Sequence, residues 1–280
     1  MHNKLRAKIF EKAALCRHFE INAFNFSKNK VIKIPIYLSA GQEFTSATLA
    51  SLIQNTKKIK PLIFAQHRCH STYLSFGGDI KNLINELLGN YKLSISKGKA
   101  GSASIYSKKI QMFGHDGHMG TQVPIGVGAC FTSKKPTIVF MGDASAEEDY
   151  VLGALGWASA KKLPILFIVE DNNLSILTEK KIRRNWSMHD VAKSFKMKGY
   201  DLQDNPKDIF KFQRYFFKEP MLLNINTNRL FWHSGAGKDS DEIFDRYLSE
   251  KKLLGKIGEN IDQKFKKQVD NIWLKQLEKL

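Results

Sequence analysis

The sequence has few cysteines and no long apolar run. Cys16, Cys69 and Cys130 lie far apart without CxxC spacing, which argues against a disulfide framework and a zinc site and fits a reducing compartment. No uninterrupted apolar stretch approaches the ~18–20 residues that cross a bilayer. The charged, amphipathic start lacks the apolar centre of a signal peptide. We therefore expect a cytoplasmic protein that does not bind membranes.

Acidic residues are scarce relative to basic ones. The chain has 27 Asp and Glu against 44 Lys and Arg, a net charge of +17, and such an excess is common in nucleic-acid-binding proteins. Here the lysines occur in ones and twos from Lys4 to Lys279, and no stretch interleaves them with aromatic residues as a stacking platform would. We expect no nucleic-acid partner. Solvated lysine faces, an acidic partner subunit or an anionic substrate explain the charge better.

Internal repeats and low-complexity linkers are also missing. A chain of 280 residues with 42% apolar residues can form one large α/β domain with a sizeable core. We expect an N-terminal helical extension over 1–60, the domain over 61–240, and a C-terminal helical tail over 241–280. The tail has apolar residues spaced for one buried stripe, which Gln276 interrupts: Ile261, Phe265, Val269, Ile272 and Trp273.

The order of apolar runs predicts an open, mainly parallel sheet with helices on both faces. Strands are expected at 61–66, 136–143, 164–171 and 221–227, and helices at 3–25, 79–89 and 146–162. The stretch 97–120 reads as a long ordered loop over a functional site. The stretch 228–241 reads as a mobile loop.

The ends of two of these strands carry oxygen ligands. Gly142-Asp143-Ala144-Ser145 ends one strand, and Asn172 follows the next. Consecutive parallel strands bring such residues together at the carboxyl edge of the sheet. A carboxylate, an amide oxygen and phosphate oxygens suit Mg²⁺. Asp143 and Asn172 could also be ordinary turn residues, so the spacing alone leaves both interpretations open.

This motif resembles the thiamine-diphosphate motif of transketolases and 2-oxo-acid dehydrogenases. Four further blocks, at 36–52, 67–89, 114–135 and 224–237, resemble alpha subunits of the decarboxylating component of 2-oxo-acid dehydrogenase complexes. The blocks keep the family's order over roughly residues 10–240. The resemblance implies the thiamine-diphosphate-binding fold, with thiamine diphosphate and Mg²⁺ as cofactors.

The resemblance also implies which residues hold the cofactor. Gly142, Asp143, Ala144, Ser145 and Asn172 form the motif, and Asp143, Asn172 and the carbonyl of Leu174 would bind the metal. The other matched positions contact the diphosphate or the aminopyrimidine: His67, Arg68, Gly117, Met119, Arg229 and His233. Ala144 stands where the family has glycine, and His67 where it has tyrosine.

Histidines are concentrated in the expected site loops. Five of the eight, His67, His70, His115, His118 and His233, fall there. By resemblance, His70 and His233 line the active site and are the candidate catalytic residues. Ser234 follows His233 where some relatives carry a regulatory phosphoserine, a role that is not transferable from sequence.

One part of the expected enzyme is missing. In split members of the family, a glutamate from a separate beta subunit with a pyrimidine-binding domain activates the cofactor. The segments before 61 and after 240 are each shorter than a domain of roughly 100–150 residues. We therefore expect a hetero-oligomer, α₂β₂ or similar, with sites at the subunit interface.

The reaction itself stays open at this level. The first interpretation is a decarboxylating 2-oxo-acid dehydrogenase subunit, with a lipoyl acyltransferase as a further partner. The segment after Arg229, FWHSGAG, departs from the dehydrogenases' histidine-glycine-histidine pattern, which leaves the substrate class open. The alternative within enzymes is a split transketolase-like enzyme or an acyloin-forming carboligase. The several donors around the site suit a small anionic substrate. A non-catalytic regulatory relative is a third possibility.

Overall fold

The computed structural model describes residues 1–56, 59–235, 237 and 243–280. Its main sheet is built from strands β1 (Leu62–Phe64), β2 (Met112–Phe113), β3 (Thr137–Gly142), β4 (Ile165–Asp171), β7 (Lys198–Gln203) and β8 (Met221–Asn226). Their order is β2-β1-β3-β4-β8-β7, and every neighbouring pair is parallel. Two short strands, β5 (Leu174–Ser175) and β6 (Thr178–Glu179), pair antiparallel outside this sheet. The predicted mainly parallel sheet is confirmed.

Helices cover both faces of the sheet. They are α1 (Asn3–Lys28), α2 (Glu43–Ser51), α3 (His70–Ser75), α4 (Ile80–Leu87), α5 (Gln122–Ser133), α6 (Asp149–Ala160), α7 (Lys180–Arg183), α8 (Met188–Ser194), α9 (Pro206–Phe210), α10 (Arg246–Leu254) and α11 (Lys256–Leu277). Among the described residues, no helix combines the length and apolarity needed to cross a bilayer.

Alternating side chains of the central strands divide the core into two layers. On β3, Ile138 and Phe140 join the layer that contains α1, α2, α3, α4 and α11. Val139 and Met141 join the opposite layer, with α5, α6 and α8. Successive strand residues point to opposite faces, so a strand buried on both faces is apolar throughout.

The two ends of the chain pack against each other over one face of the sheet. Trp273 is fully buried, with its ring centroid 5.4 Å from that of Phe19 and 5.1 Å from that of Phe26. The predicted tail consists of two helices, α10 and α11. The apolar stripe of α11 packs against α1 of the same chain. Gln276 does not interrupt the stripe: it is buried, and Asn85 donates to its Oε1 at 3.0 Å.

Several predicted boundaries are corrected by the structure. The helix expected over 146–162 is divided into a 3₁₀ turn at Ser145–Glu147 and α6. The expected loop over 97–120 contains β2, an edge strand, and β7 was not predicted. Much of the loop expected over 228–241 lies outside the described residues, as do the first two residues of the expected tail.

The topology determines where the site lies. All six strands are parallel, so the segments that follow them meet at one edge of the sheet. Gly142 and Glu170 are register partners across β3 and β4, which makes Asp143 and Asp171 neighbours. The segment that begins at Gln66 follows β1 on the other side of β3. This carboxyl edge is where ligands bind in open parallel sheets.

Candidate active site

A cavity of about 340 Å³ opens at this carboxyl edge. The residues that line it come from the segments after β1, β2, β3, β4 and β8: His67, Arg68, His115, Gly117, Met119, Gly142, Asp143, Ala144, Ser145, Leu174, Ser175, Ile176 and His233. Ten of the predicted site residues are among them. The structure therefore brings together residues that lie far apart in the sequence.

Arg68 is a buried cation at the wall of the cavity. It is 4% exposed, and burial lowers its pKa, while Glu170 and Asp143 raise it. Nη1 lies 3.3 Å from Nε2 of His67. Among the described residues, its Nε and Nη2 have no hydrogen-bond partner. A buried guanidinium with unused donors is costly unless a ligand accepts from it.

Glu170 is the buried counter-charge of Arg68. Burial raises the pKa of this carboxyl to about 7, although Arg68 and a hydrogen bond from Gln66 lower it. Gln66 donates through Nε2, which leaves its Oε1 without a partner among the described residues. A Cβ on Gly142 would lie 3.3 Å from both Arg68 Nη2 and Gln66 Oε1. Glycine at 142 therefore leaves room for this buried polar group.

Asp143 is also buried, and Arg183 holds it. Burial raises its pKa, as does Asp171, whereas Arg183 and Arg68 lower it. The Arg183 guanidinium forms ion pairs with both Asp143 and Glu147. Arg183 lies at the end of α7, in the segment after Asn172. Asp143 therefore keeps a cationic partner in this conformation.

Asn172 starts a turn that carries Leu174 to the cavity. Its Oδ1 accepts from the backbone N–H of Leu174 at 3.1 Å, and Asn173 adopts a left-handed conformation with φ 65°. The residue is buried, and its Nδ2 has no partner among the described residues. One end of this side-chain amide is thus available to a ligand.

Four rings form a cluster beside Arg68. The centroid of His67 lies 5.3 Å from that of Tyr37, 5.9 Å from that of His115 and 5.1 Å from that of His233. Burial, followed by the charges of Arg68, His233 and His115, lowers the pKa of His67 to about 2. His67 is therefore neutral at physiological pH and acts as a hydrogen-bonding group, not as a proton source.

Gly117 and Met119 lie in the loop after β2. Gly117 has φ 107°, a conformation that favours glycine, and its N–H donates to Nδ1 of His115 at 3.0 Å. The Met119 side chain is 46% exposed. Its carbonyl accepts a hydrogen bond from Tyr150. Met119 thus stands at the rim of the cavity.

Asn172, described above, and three further expected site residues do not line the cavity. His70 is fully buried behind it, with Nδ1 3.1 Å from Glu20 Oε1 and Nε2 2.9 Å from the Ser102 hydroxyl. His118 is exposed. Arg229 is buried and donates to the Ile176 carbonyl at 3.0 Å. The geometry corrects the prediction that His70 lines the active site: the ring supports the wall between α1 and α3.

Sequence reasoning missed Ser175 and Ile176, which line the cavity, and four residues next to it. Gln66 and Glu170 flank predicted site residues, and their burial next to Arg68 could have been inferred from adjacency to the strand ends. Tyr37 lies in a block that resembled the family, but nothing marked it as a ring partner of His67. Arg183 carried no local signal because its approach to Asp143 depends on the path of β5, β6 and α7.

The fold and the cavity define a class. The protein is a parallel α/β protein with a buried arginine, an aspartate and an asparagine at the carboxyl edge, as in proteins that bind phosphorylated cofactors. Residues 11–242 match the family described as the dehydrogenase E1 component. The chain belongs to this family.

Individual relatives agree with this assignment. The pyruvate dehydrogenase E1 component subunit alpha-1 of Arabidopsis thaliana is 30% identical over 236 residues, which cover 80% of this chain and 59% of that protein. The rice (Oryza sativa) subunit alpha-1 is 29% identical with the same coverage. The Rickettsia bellii subunit alpha is 28% identical over 242 residues, covering 81% and 72%. The chain thus spans about three fifths of the plant relatives.

Solved structures show the same fold. The transketolase of Pichia stipitis in complex with sedoheptulose-7-phosphate superposes with a TM-score of 0.57 at 17% identity, over 98% of this chain and 45% of that chain. A transketolase variant from the same organism gives a TM-score of 0.56 at 15% identity, over 98% and 46%. At these identities the similarity establishes the fold alone.

Proposed function

We propose that the chain is the alpha subunit of a thiamine-diphosphate- and Mg²⁺-dependent enzyme that decarboxylates a 2-oxo acid. The observation that carries this proposal is the buried Arg68, which lines the cavity together with Gly142 and Asp143. Its Nε and Nη2 have no hydrogen-bond partner among the described residues. The membership of the dehydrogenase E1 family supports the choice of cofactor.

The donors of the cavity fit a diphosphate. Arg68 offers two unused N–H groups to phosphate oxygens, and charge-assisted contacts of this kind are strong. Ser145 lines the same wall with a hydroxyl. Ala144 stands where the family has glycine, and its methyl reduces the room for a close phosphate. Arg68 would therefore carry most of the diphosphate affinity.

The oxygen ligands fit a magnesium ion. Asp143 would supply charge, Asn172 the second lone pair of its side-chain amide oxygen, and Leu174 its backbone carbonyl, with diphosphate oxygens completing the shell. A divalent cation would also keep Asp143 ionised despite the burial that raises its pKa. Arg183 holds Oδ2 of Asp143, so the other carboxylate oxygen would face the metal.

The bound cofactor supplies an electron sink for decarboxylation. The chain's own residues bind it and orient the substrate. His67 stays neutral because burial depresses its pKa, so it can only donate or accept a hydrogen bond. His233 lines the same cavity, and we assign it the role of acid, base or charge-stabilising donor towards the substrate. His70 is assigned a supporting role in the wall.

We propose that a second chain completes the site. We propose a beta subunit that carries the pyrimidine-binding domain and the activating glutamate, in an α₂β₂ or similar assembly, with a lipoyl acyltransferase as acyl acceptor. An apolar group next to the cavity fits such an interface: Ile176, Leu177 and Trp232 are 59%, 75% and 52% exposed. Exposed apolar groups of this kind mark contact surfaces.

The histidines that line the cavity favour a second candidate function. His67, His115 and His233 line it, and this polar wall suits a polyhydroxylated or anionic substrate better than an apolar one. A split transketolase-like enzyme or an acyloin-forming carboligase would use such a wall.

One screen separates the two functions. The chain is purified together with its beta subunit and assayed with 2-oxo acids and with ketoses, with an artificial electron acceptor or an aldehyde acceptor. Turnover of a polar 2-oxo acid with the electron acceptor supports the dehydrogenase. Ketol transfer without an electron acceptor supports the alternative, and an inactive assembly that still binds the cofactor supports a regulatory relative.

A further inference from the structure

Lysines collect at the amino edge of the sheet, opposite the cavity. Lys60 immediately precedes the segment that enters β1, Lys108 and Lys109 precede β2, and Lys134 and Lys135 precede β3. All five side chains are exposed. Because the six strands are parallel, these separate pairs lie along one edge.

The same pattern continues across the other half of the sheet. Lys161 and Lys162 precede β4, Lys196 precedes β7, and Lys218 precedes β8, all of them exposed. Six strands spaced by about 4.8 Å give this lysine edge a length of about 24 Å. Lysines that are dispersed in the sequence therefore lie along one edge of the sheet.

Helix capping accounts for only part of the pattern. Lysines near helix C-termini interact favourably with the helix dipole, which fits Lys134 after α5 and Lys161 after α6. The helix dipole does not account for Lys60, Lys108 or Lys218, because none of them follows the end of an α-helix directly. Moreover, Lys134, Lys162 and Lys196 have φ of 56°, 49° and 58°, where glycine is usual. Lysine is present at these turns despite a conformational cost.

A groove indents this edge between α6 and the starts of β7 and β8. Its volume is about 670 Å³. Apolar groups form its floor, among them Phe195, Met197 and Pro220, and Lys162, Lys196 and Lys218 stand around them. Glu219 also lines the groove, and its carboxylate pairs with Lys198. Within the described residues, no carboxylate pairs with Lys162, Lys196 or Lys218.

From this arrangement we infer that the amino edge is a docking surface for an acidic segment of a partner protein, with an apolar side chain inserted between carboxylates. The apolar residues of the groove would contact the inserted side chain, and the three lysines would pair with the flanking carboxylates. The groove is concave and partly lined by apolar groups. This shape suits an inserted peptide side chain better than a nucleic acid backbone or a lipid surface.

The site is independent of the cofactor cavity. The six-residue β3 separates the two edges by roughly 20 Å. A beta subunit that closes the carboxyl edge would leave the amino edge to another protein. The inference therefore does not depend on the proposed function.

The test uses the purified full chain and a fluorescent Glu-rich peptide that carries leucines. The triple variant K162E/K196E/K218E is compared with K267E/K275E/K279E, which changes the net charge equally at exposed lysines of α11 and the C-terminus. We expect the groove variant to bind at least tenfold more weakly and the control within about twofold of wild type. In wild type, the peptide should protect Lys162, Lys196 and Lys218 from acetylation, which requires no variant.

Specificity is tested with three further probes: the peptide with glycine in place of leucine, oligodeoxythymidylate, and phosphatidylglycerol vesicles. We expect weaker binding for all three. The inference is overturned if the leucine peptide does not bind, if both triple variants lose the same affinity, if removal of the leucines has no effect, or if the oligonucleotide or the vesicles bind more tightly than the peptide.

Discussion

Arg68→Met should strongly weaken the binding of the cofactor diphosphate. The variant keeps the unbranched stem of the side chain and removes the guanidinium with its charge and its donors. Nε and Nη2 of Arg68 have no partner among the described residues, so a diphosphate that binds there gains hydrogen bonds without breaking any in the protein. Glu170 would lose its counter-charge, and its pKa, already raised to about 7 by burial, would rise further.

The magnitude follows from the number of contacts. A hydrogen bond to a charged group contributes roughly 1.5–3 kcal/mol. Loss of two such bonds should weaken binding by about 10²–10⁴-fold. Inorganic pyrophosphate is the appropriate probe, because the part of thiamine diphosphate that a beta subunit holds does not enter the measurement.

Calorimetric titration with pyrophosphate in the presence of Mg²⁺ measures this loss. Arg214→Met serves as the matched control, because Arg214 is exposed and stacks over Tyr215 away from the cavity. The double variant Arg68→Met/Glu170→Gln removes the unpaired carboxyl and shows whether a folding defect contributes. Unchanged pyrophosphate affinity in a folded Arg68→Met protein would refute the assignment of this arginine.

Three further predictions concern the same cavity. Asp143→Ala should abolish Mg²⁺-dependent binding of thiamine diphosphate to the assembly, and unchanged calorimetric affinity would show that the metal lies elsewhere. His233→Ala should lower kcat/KM by about 10²–10⁴-fold with much less change in cofactor affinity, and wild-type turnover with the true substrate would contradict its role. The pKa of Glu170 is raised to about 7, so its contribution to stability is present at low pH and is lost as the pH rises through about 7. Wild type should therefore lose up to about 3 kcal/mol of stability relative to Glu170→Gln between pH 5 and 8, which chemical denaturation at a series of pH values would detect.

Much of the site could be predicted because parallel strands place their ends together. Arg68, Asp143 and Asn172 each follow an apolar run of the right length, and the order of the runs is enough to bring them to one edge. The central strands β3 and β4 are apolar throughout because both faces are buried, and this makes them easy to recognise.

Other elements could not be predicted because distant contacts determine them. The edge strand β7, KGYDLQ, is polar and half exposed, so its pattern does not distinguish it from a loop. His70 looked like a site residue in the sequence, but the packing of α1 places Glu20 against its ring. Arg183 reaches Asp143 only because a short hairpin reverses the chain after Asn172.

The measurement that tests the central claim most directly is a titration of the purified chain and its beta subunit with thiamine diphosphate, in Mg²⁺ and in excess chelator. We predict saturable binding in Mg²⁺ that is lost in chelator and restored when the metal is added back. Full affinity in chelator, or no binding under either condition, would contradict the assignment of Arg68, Asp143 and Asn172 to a diphosphate and magnesium site.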